Sequence, residues 1–261
     1  GNYLMLSEKL IEPPFESRSD YDWLREVAAK LGVEKEFSQG RNEKEWIAHI
    51  WENTRLAMPQ EALPTFEQLQ VTRRHLFKSA PYVAFEDNIR DPKNHPFQTP
   101  SGKIEIFSRR LYDMHHPEIP ALSHYVPAHE GPEDVLSARF PLQLITWKGK
   151  NRANSTQYAN PLLQEVQTQK LWINPADARR RGIAQGDSVR IHNDRGVTQI
   201  PAEVTQRIMP GVVAMQAGAW WQPDASGVDH GGCANVLSSA RITALAKGNS
   251  HQTMLVEVVK A

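Results

Sequence analysis

The sequence has a single cysteine, Cys233, among 261 residues. One thiol closes no internal disulfide and supplies no thiolate cluster for zinc or iron–sulfur, so cysteine usage does not reveal the redox compartment. An excess of charge of one sign is also missing: Lys+Arg and Asp+Glu both number 30. Bulk electrostatics therefore give no nucleic-acid or membrane-surface binder. No nucleic-acid partner is expected, and any anion site has to be assembled locally. No apolar run approaches the ~20 residues of a membrane-spanning helix. No signal-peptide pattern opens the chain, and there is no fixed-period repeat or low-complexity tract. The chain starts at Gly1 rather than Met, which reads as processing or an excised piece. What is present is a hydrophobic fraction of 40%, enough for a core in one or two domains.

Residues 1–80 read as mainly helical. Ser19 is placed as an N-cap with Asp22 at the capping-box position, and Tyr21, Leu24, Val27, Ala28 and Leu31 follow at helical spacing up to Gly32. A second helix opens at Asn42, with Glu45 at the box position; Trp46, Ile47, Ile50 and Trp51 form its apolar stripe, and Pro59 ends it. A third starts after Thr65 with Phe66 and Leu69. Aromatic stripes of this kind are core packing, and those carrying Trp23, Trp46 and Trp51 are expected not to be fully buried within the chain.

Residues 81–138 are dense in Pro, His, Asn and Asp. The turn Thr99-Pro100-Ser101-Gly102-Lys103 predicts an alternating strand at Ile104-Glu105-Ile106-Phe107. It is no phosphate loop, because the earlier glycine is lacking and a strand follows. His115 to Ala138 reads as a connection wrapping a surface.

From residue 139 onward the pattern is short strands: 141–147, 171–173, 188–192, 197–204, 212–215 and 254–259. Between the second and third, Asn174 caps a very short helix with Pro175 at its first position and Asp177 in its first turn, stopped by Gly182. About six short strands with one small helix predict a small closed barrel, with the helix on its outside.

Several groups invite a chemical reading. Thr146 to Gln157 is a polar, basic loop leaving a buried strand. By composition it is either an ordinary solvated loop, the commoner case, or an anion site built from Lys148, Lys150, Arg152 and short polar side chains. Gly231-Gly232-Cys233-Ala234-Asn235 is equally a glycine turn with a capping Asn or a place where backbone approaches a ligand. His251 by itself reads as a surface histidine. Cys233 has no nucleophile's partner and reads as a small buried residue. His115, His116 and Glu118 lie in a proline-flanked loop and make no metal site. Asp229 and His230, adjacent in sequence, lack acid–base geometry and read as loop residues. Arg179, Arg180 and Arg181 read as the solvated end of the short helix, and Asp177 and Asp187 as structural.

The order of phrases in the second half is more specific than any one of them. It runs Ile173-Asn174-Pro175-Ala176-Asp177-Ala178, Arg181-Gly182-Ile183, Gly186-Asp187-Ser188-Val189, Asn193-Asp194-Arg195-Gly196, Met209-Pro210-Gly211-Val212-Val213, Gly218-Ala219-Trp220 and Asp229 to Asn235. This order resembles the molybdopterin dinucleotide-binding domain of the dimethyl sulfoxide reductase family. Phe97 to Glu105 and the helix from Ser19 to Gly32 resemble segments that precede it, so the resemblance covers nearly the whole chain. Trp147, Arg152, Ser155-Thr156 and Gly231 to Asn235 point toward the dimethyl sulfoxide or biotin sulfoxide reductase branch.

The resemblance implies a mixed α and β chain. Residues 1–138 would be part of an α/β domain with a long connecting segment, and residues 139–261 a double-psi β-barrel. It implies a fragment, the C-terminal portion of a catalytic subunit that reduces S-oxides or N-oxides and is inactive alone. The implied cofactor is molybdenum bis(molybdopterin guanine dinucleotide), with an iron–sulfur cluster only in the missing N-terminal part. The implied contacts are Trp147, Lys148, Arg152, Asn154, Ser155, Thr156, Asn235, His251 and Gln252; no catalytic residue or metal ligand is placed here. Partners would be the rest of the catalytic subunit, an iron–sulfur electron-transfer subunit, a membrane anchor subunit and a small oxide substrate. Export to the periplasmic side by a twin-arginine signal is typical of the branch. Two alternatives stay open: another branch, such as formate dehydrogenase or nitrate reductase, and a non-enzymatic double-psi barrel that binds protein or peptide.

Overall fold

The computed structural model describes residues 2–78, 80–250 and 252–261. The chain divides into two units, Gly1–Pro96 and Phe97–Ala261.

The first unit holds β1 (Tyr3–Met5), α1 (Asp20–Lys30), α2 (Glu34–Ser38), α3 (Glu43–Ala57), α4 (Phe66–Thr72), β2 (Arg74–Leu76) and α5 (Glu86–Arg90). The capping signals are realised. Ser19 Oγ accepts the Asp22 N–H, and Asn42 with Glu45 and Thr65 with Gln68 form reciprocal capping boxes. β1 and β2 pair antiparallel, Tyr3 against Leu76, a pairing absent from the helical reading. The core is small: Trp51, Leu63 and Leu69, with Leu4, Leu6, Met58, Phe66 and Phe77 against it. The three tryptophans divide as their faces differ. Trp51 is 8% exposed and donates from Nε1 to the Pro64 carbonyl at 3.0 Å. Trp46 is half-buried and Trp23 is 46% exposed.

The second unit holds α6 (Arg109–Tyr112), β3 (Leu142–Trp147), α7 (Pro161–Val166), β4 (Leu171–Ile173), α8 (Pro175–Arg180), β5 (Ser188–His192), β6 (Val197–Val204), β7 (Val212–Gln216) and β8 (Met254–Lys260). The six strands β3 to β8 close in the order β3-β7-β4-β6-β5-β8. Two pairs are parallel, β3 with β7 and β4 with β6, and the rest antiparallel. This is the double-psi β-barrel arrangement. Closure removes sheet edges. Strand alternation fills the inside with Leu142, Leu144, Leu171, Ile173, Val189, Ile191, Val213, Met215, Met254, Val256 and Val258, all at most 2% exposed. Each such side chain adds about 1.5–3 kcal/mol on burial.

The short helix α8 follows β4 as expected. Asn174 Oδ1 caps the Ala176 N–H at 2.9 Å, and buried Asp177 reaches across to accept the Gly211 N–H at 2.7 Å. Arg181, expected in solvent, instead pairs with Glu257 on β8 at 2.7 Å.

The strand expected at 104–107 does not form. Ile104 and Ile106 are 76% and 78% exposed, and only Phe107 makes an isolated bridge, to Leu122. Among the described residues no partner strand lies alongside, and the Glu105 carboxylate is occupied by the Ser101 N–H at 2.9 Å. A local side-chain bond of this type competes with ladder formation.

Candidate functional site

Strand direction decides where the loops gather. β3, β5 and β7 run toward one end of the barrel; β4, β6 and β8 start from it. That end therefore carries the loop leaving Trp147, the long loop leaving Gln216, the β5–β6 turn and the entries to β4 and β8. All the described residues of the expected site lie in these segments. His251 lies outside the described residues.

Side-chain bonds tie the segments together. Gln252 bonds twice to Thr146. Trp220 Nε1 donates to the Ser155 carbonyl at 2.9 Å, and the Tyr158 hydroxyl donates to the Gly231 carbonyl at 3.1 Å. Gln169, at the entry to β4, donates from Nε2 to the carbonyls of Gln216 (2.8 Å) and Gly232 (3.0 Å) and accepts Arg152 through Oε1. Gln216, 1% exposed, donates to Asn151 Oδ1 at 2.7 Å. Gly218 has a φ of +88°, and a Cβ there would fall on the Asn154 carbonyl, so two loops meet backbone to backbone.

Two carboxylates anchor these loops. Asp229, with no exposed surface, accepts from Thr198 Oγ1 (2.8 Å) and from the backbone N–H groups of Gln222 (2.8 Å), Gly231 (3.0 Å) and Cys233 (2.7 Å). Burial would push its pKa up, but the donated hydrogen bonds outweigh it and hold the carboxyl below its ordinary range. Glu130, 2% exposed, pairs with Arg195 at 2.7 Å and accepts the Leu255 N–H at 3.2 Å. Arg195 also donates to the Leu237 carbonyl at 2.8 Å, so one pair joins the wrapping segment, the β5–β6 turn and the turn that contains Asn235.

The expected contact residues are placed as follows. Trp147 closes β3 and packs on Trp172, ring centroids 5.0 Å apart; its Nε1 is buried without a partner among the described residues. Lys148 and Asn154 are exposed and bond to each other. Ser155 and Thr156 are exposed in the loop, and Asn235 is exposed in a one-turn helix at 234–237. Arg152 is half-buried, 5.2 Å over the Tyr158 ring, with Nε buried and unpartnered among the described residues. Burial lowers its pKa, and no carboxylate offsets this. Beside it lies a cavity of about 330 Å³, lined among others by Asn151, Arg152, Tyr158, Gln169, His230 and Gly231. Burial raises the Cys233 thiol, as suits an inert residue.

Asp229, Glu130, Tyr158, Gln169 and Gln216 were not singled out from sequence as parts of this site. Glu130, Tyr158, Gln169 and Gln216 meet partners from distant segments, and Asp229 joins its own loop to Thr198, 31 residues away.

The chemistry of this end suits an anionic, hydrogen-bonding ligand: lysine and guanidinium groups, many amides, and buried polar atoms at Trp147, Arg152 and Gln216 with no partner among the described residues. The family model described as the molydopterin dinucleotide binding domain matches residues 142–255. Dimethyl sulfoxide reductase DmsA of Escherichia coli (strain K12) is 43% identical over 270 residues, covering 99% of this chain and 33% of that protein. Dimethyl sulfoxide/trimethylamine N-oxide reductase of Cereibacter sphaeroides is 34% identical over 274 residues, covering 98% and 33%. The chain thus spans about a third of the length of the curated relatives it matches. Acetylene Hydratase from Pelobacter acetylenicus superposes with a TM-score of 0.66 at 17% identity over 100% of this chain and 35% of that one, a likeness of fold. Nearly the whole chain is thus similar to a third or so of dimethyl sulfoxide reductases by length, and residues 142–255 match the molydopterin dinucleotide binding domain.

Proposed function

We propose that this chain is the C-terminal, cofactor-holding portion of a catalytic subunit that reduces S-oxides or N-oxides. The observation that carries the reading is the gathering of Trp147 to Thr156, Asn235 and Gln252 at one barrel end, in a chain with relatives that act on such oxides. The bound molybdenum centre, in its bis(molybdopterin guanine dinucleotide) form, supplies two-electron redox chemistry. The chain's own residues bind and orient. Lys148 and Arg152 balance negative charge, while Asn154, Ser155, Thr156 and Asn235 offer short polar contacts to a pterin edge. His251 belongs to the same proposed set. Gln252 acts by holding the end of β3 in place. Asp229 and Glu130 fix the loops that exclude water.

In this reading residues 139–261 act as the dinucleotide domain and residues 1–138 as part of an α/β domain completed by the rest of the subunit. An iron–sulfur cluster in that remainder, an iron–sulfur electron-transfer subunit and a membrane anchor complete the electron path. The test is dye-linked reduction of dimethyl sulfoxide and trimethylamine N-oxide by the full-length protein. Turnover of these oxides supports the reading; turnover of formate or nitrate instead assigns another branch.

A further inference from the structure

Residues 239–249 form an arm between the one-turn helix that carries Asn235 and the entry to β8 at Gln252. The arm is ordered within itself. Ile242 and Asn249 form an antiparallel bridge, the Thr243 N–H donates to the Gly248 carbonyl at 2.8 Å, and the Gly248 N–H donates to Thr243 Oγ1 at 3.1 Å. Packing does not hold it to the barrel: Ile242 and Leu245, its large apolar side chains, are each 57% exposed. Among the described residues, the hydrogen bonds and ion pairs that leave the arm all belong to one side chain. Arg241 donates from Nη1 to His129 Nδ1 at 3.1 Å and pairs through Nη2 with Glu118. Both partners lie on the wrapping segment, 112 and 123 residues away in sequence.

The roots of the arm are fixed. The Leu237 carbonyl accepts from Asn193 Nδ2 and from Arg195 Nε, both at 2.8 Å, and Gln252 is held by Thr146. An exposed, internally ordered segment attached by a single residue opens locally when that residue lets go. Its roots adjoin Asn235 and Gln252, at the barrel end that the proposed function gives to the dinucleotide. We infer that the arm is a retaining strap for the dinucleotide, with Arg241 as its clasp on Glu118 and His129. The inference rests on the proposed function above and adds how the ligand, once seated, is kept from leaving. Closed, the clasp ties the arm to the wrapping segment; released, the arm moves on its fixed roots and the ligand escapes. Among the described residues Arg241 bonds to none of the proposed contacts, so it acts on the rate of loss and not on the contacts themselves. Exposed ion pairs are weak, which suits a clasp that has to open for loading.

The test uses the full-length protein loaded with its dinucleotide. Trypsin cleavage after Lys247 reads opening of the arm, and loss of molybdenum and pterin over repeated gel filtration reads retention. Arg241→Gln and Glu118→Gln are each expected to raise both rates about threefold, the scale of one exposed ion pair, with thermal unfolding unchanged. Arg241→Glu combined with Glu118→Arg re-forms the pair with its charges exchanged and is expected to bring both rates back toward wild type. Wild-type cleavage in Arg241→Gln shows that Arg241 is no clasp and overturns the inference, as does failure of the exchanged pair to recover. Faster cleavage with unchanged cofactor loss overturns it too, because the arm then opens without releasing anything. None of these results touches the wider reading. That reading fails by a different observation, wild-type full-length protein that carries no dinucleotide, and the strap falls with it.

Discussion

Gln252 and Thr146 hold each other through two hydrogen bonds: Gln252 Oε1 accepts the Thr146 backbone N–H at 2.9 Å, and its Nε2 donates to the Thr146 hydroxyl at 2.8 Å. The amide thus continues the β3–β8 pairing past Leu144 and Met254, where the ladder stops. It sets the point from which the loop carrying Lys148 to Thr156 departs.

Gln252→Ala should therefore cost about 1 kcal/mol of stability, the usual worth of such bonds at a partly exposed site. A double-mutant cycle with Thr146→Val in urea denaturation should show a coupling of at least ~0.5 kcal/mol. Strict additivity would mean the two residues act separately.

Asp229 makes stability depend on pH in a defined direction. Its folded pKa is depressed, because the hydrogen bonds from Gln222, Thr198, Cys233 and Gly231 outweigh burial. Its contribution is present above the unfolded carboxyl value of about 3.9 and is lost as pH falls through the lower folded value. Asp229→Asn should lose on the order of 3 kcal/mol near neutral pH and show a smaller acid-side decline than wild type. Denaturant midpoints measured from pH 7 down to pH 3 check both. Parallel curves would show that Asp229 is not the titrating anchor.

Removing Arg195 leaves Glu130 buried without its cation. Arg195→Met should cost about 3–5 kcal/mol, as breaking a buried pair does, and adding Glu130→Gln should recover part of the loss. Thermal denaturation of the single and double variants gives the comparison. No recovery in the double variant would contradict the pairing.

Gly218→Ala places a methyl group against the Asn154 carbonyl at a positive φ. The loss should be about 1–3 kcal/mol. Because Trp220 donates to the Ser155 carbonyl in the same contact, tryptophan emission should shift with it. Unchanged emission would place the two loops apart.

Much of this fold is local in origin and therefore legible in sequence. Asn42 with Glu45, Thr65 with Gln68, and Asn174 with Pro175 announce helix starts through bonds within three residues. Strands β3, β4, β5 and most of β6 alternate because one face of each is packed inside, whereas β7 and β8 carry runs of buried residues. The segments proposed for the site were chosen through the order of their phrases. What escaped was non-local. Tyr3–Met5 and Arg74–Leu76 are three residues each and pair across most of the first unit. Ile104 to Phe107 has a strand's alternation, but only Phe107 finds a bridge, to Leu122. Asp229 looks like a loop residue until Thr198, 31 residues away on β6, comes to it.

The central claim is that this barrel end holds the molybdopterin dinucleotide, and its most direct measurement is molybdenum and pterin per full-length subunit in Ser155→Ala with Asn235→Ala. Losing two contacts of about 0.5–1.5 kcal/mol each should weaken retention by roughly tenfold, at 1.4 kcal/mol per factor of ten. The account predicts that after gel filtration the variant retains a small fraction of wild-type molybdenum and pterin while its thermal unfolding is unchanged. Wild-type content of both would contradict it.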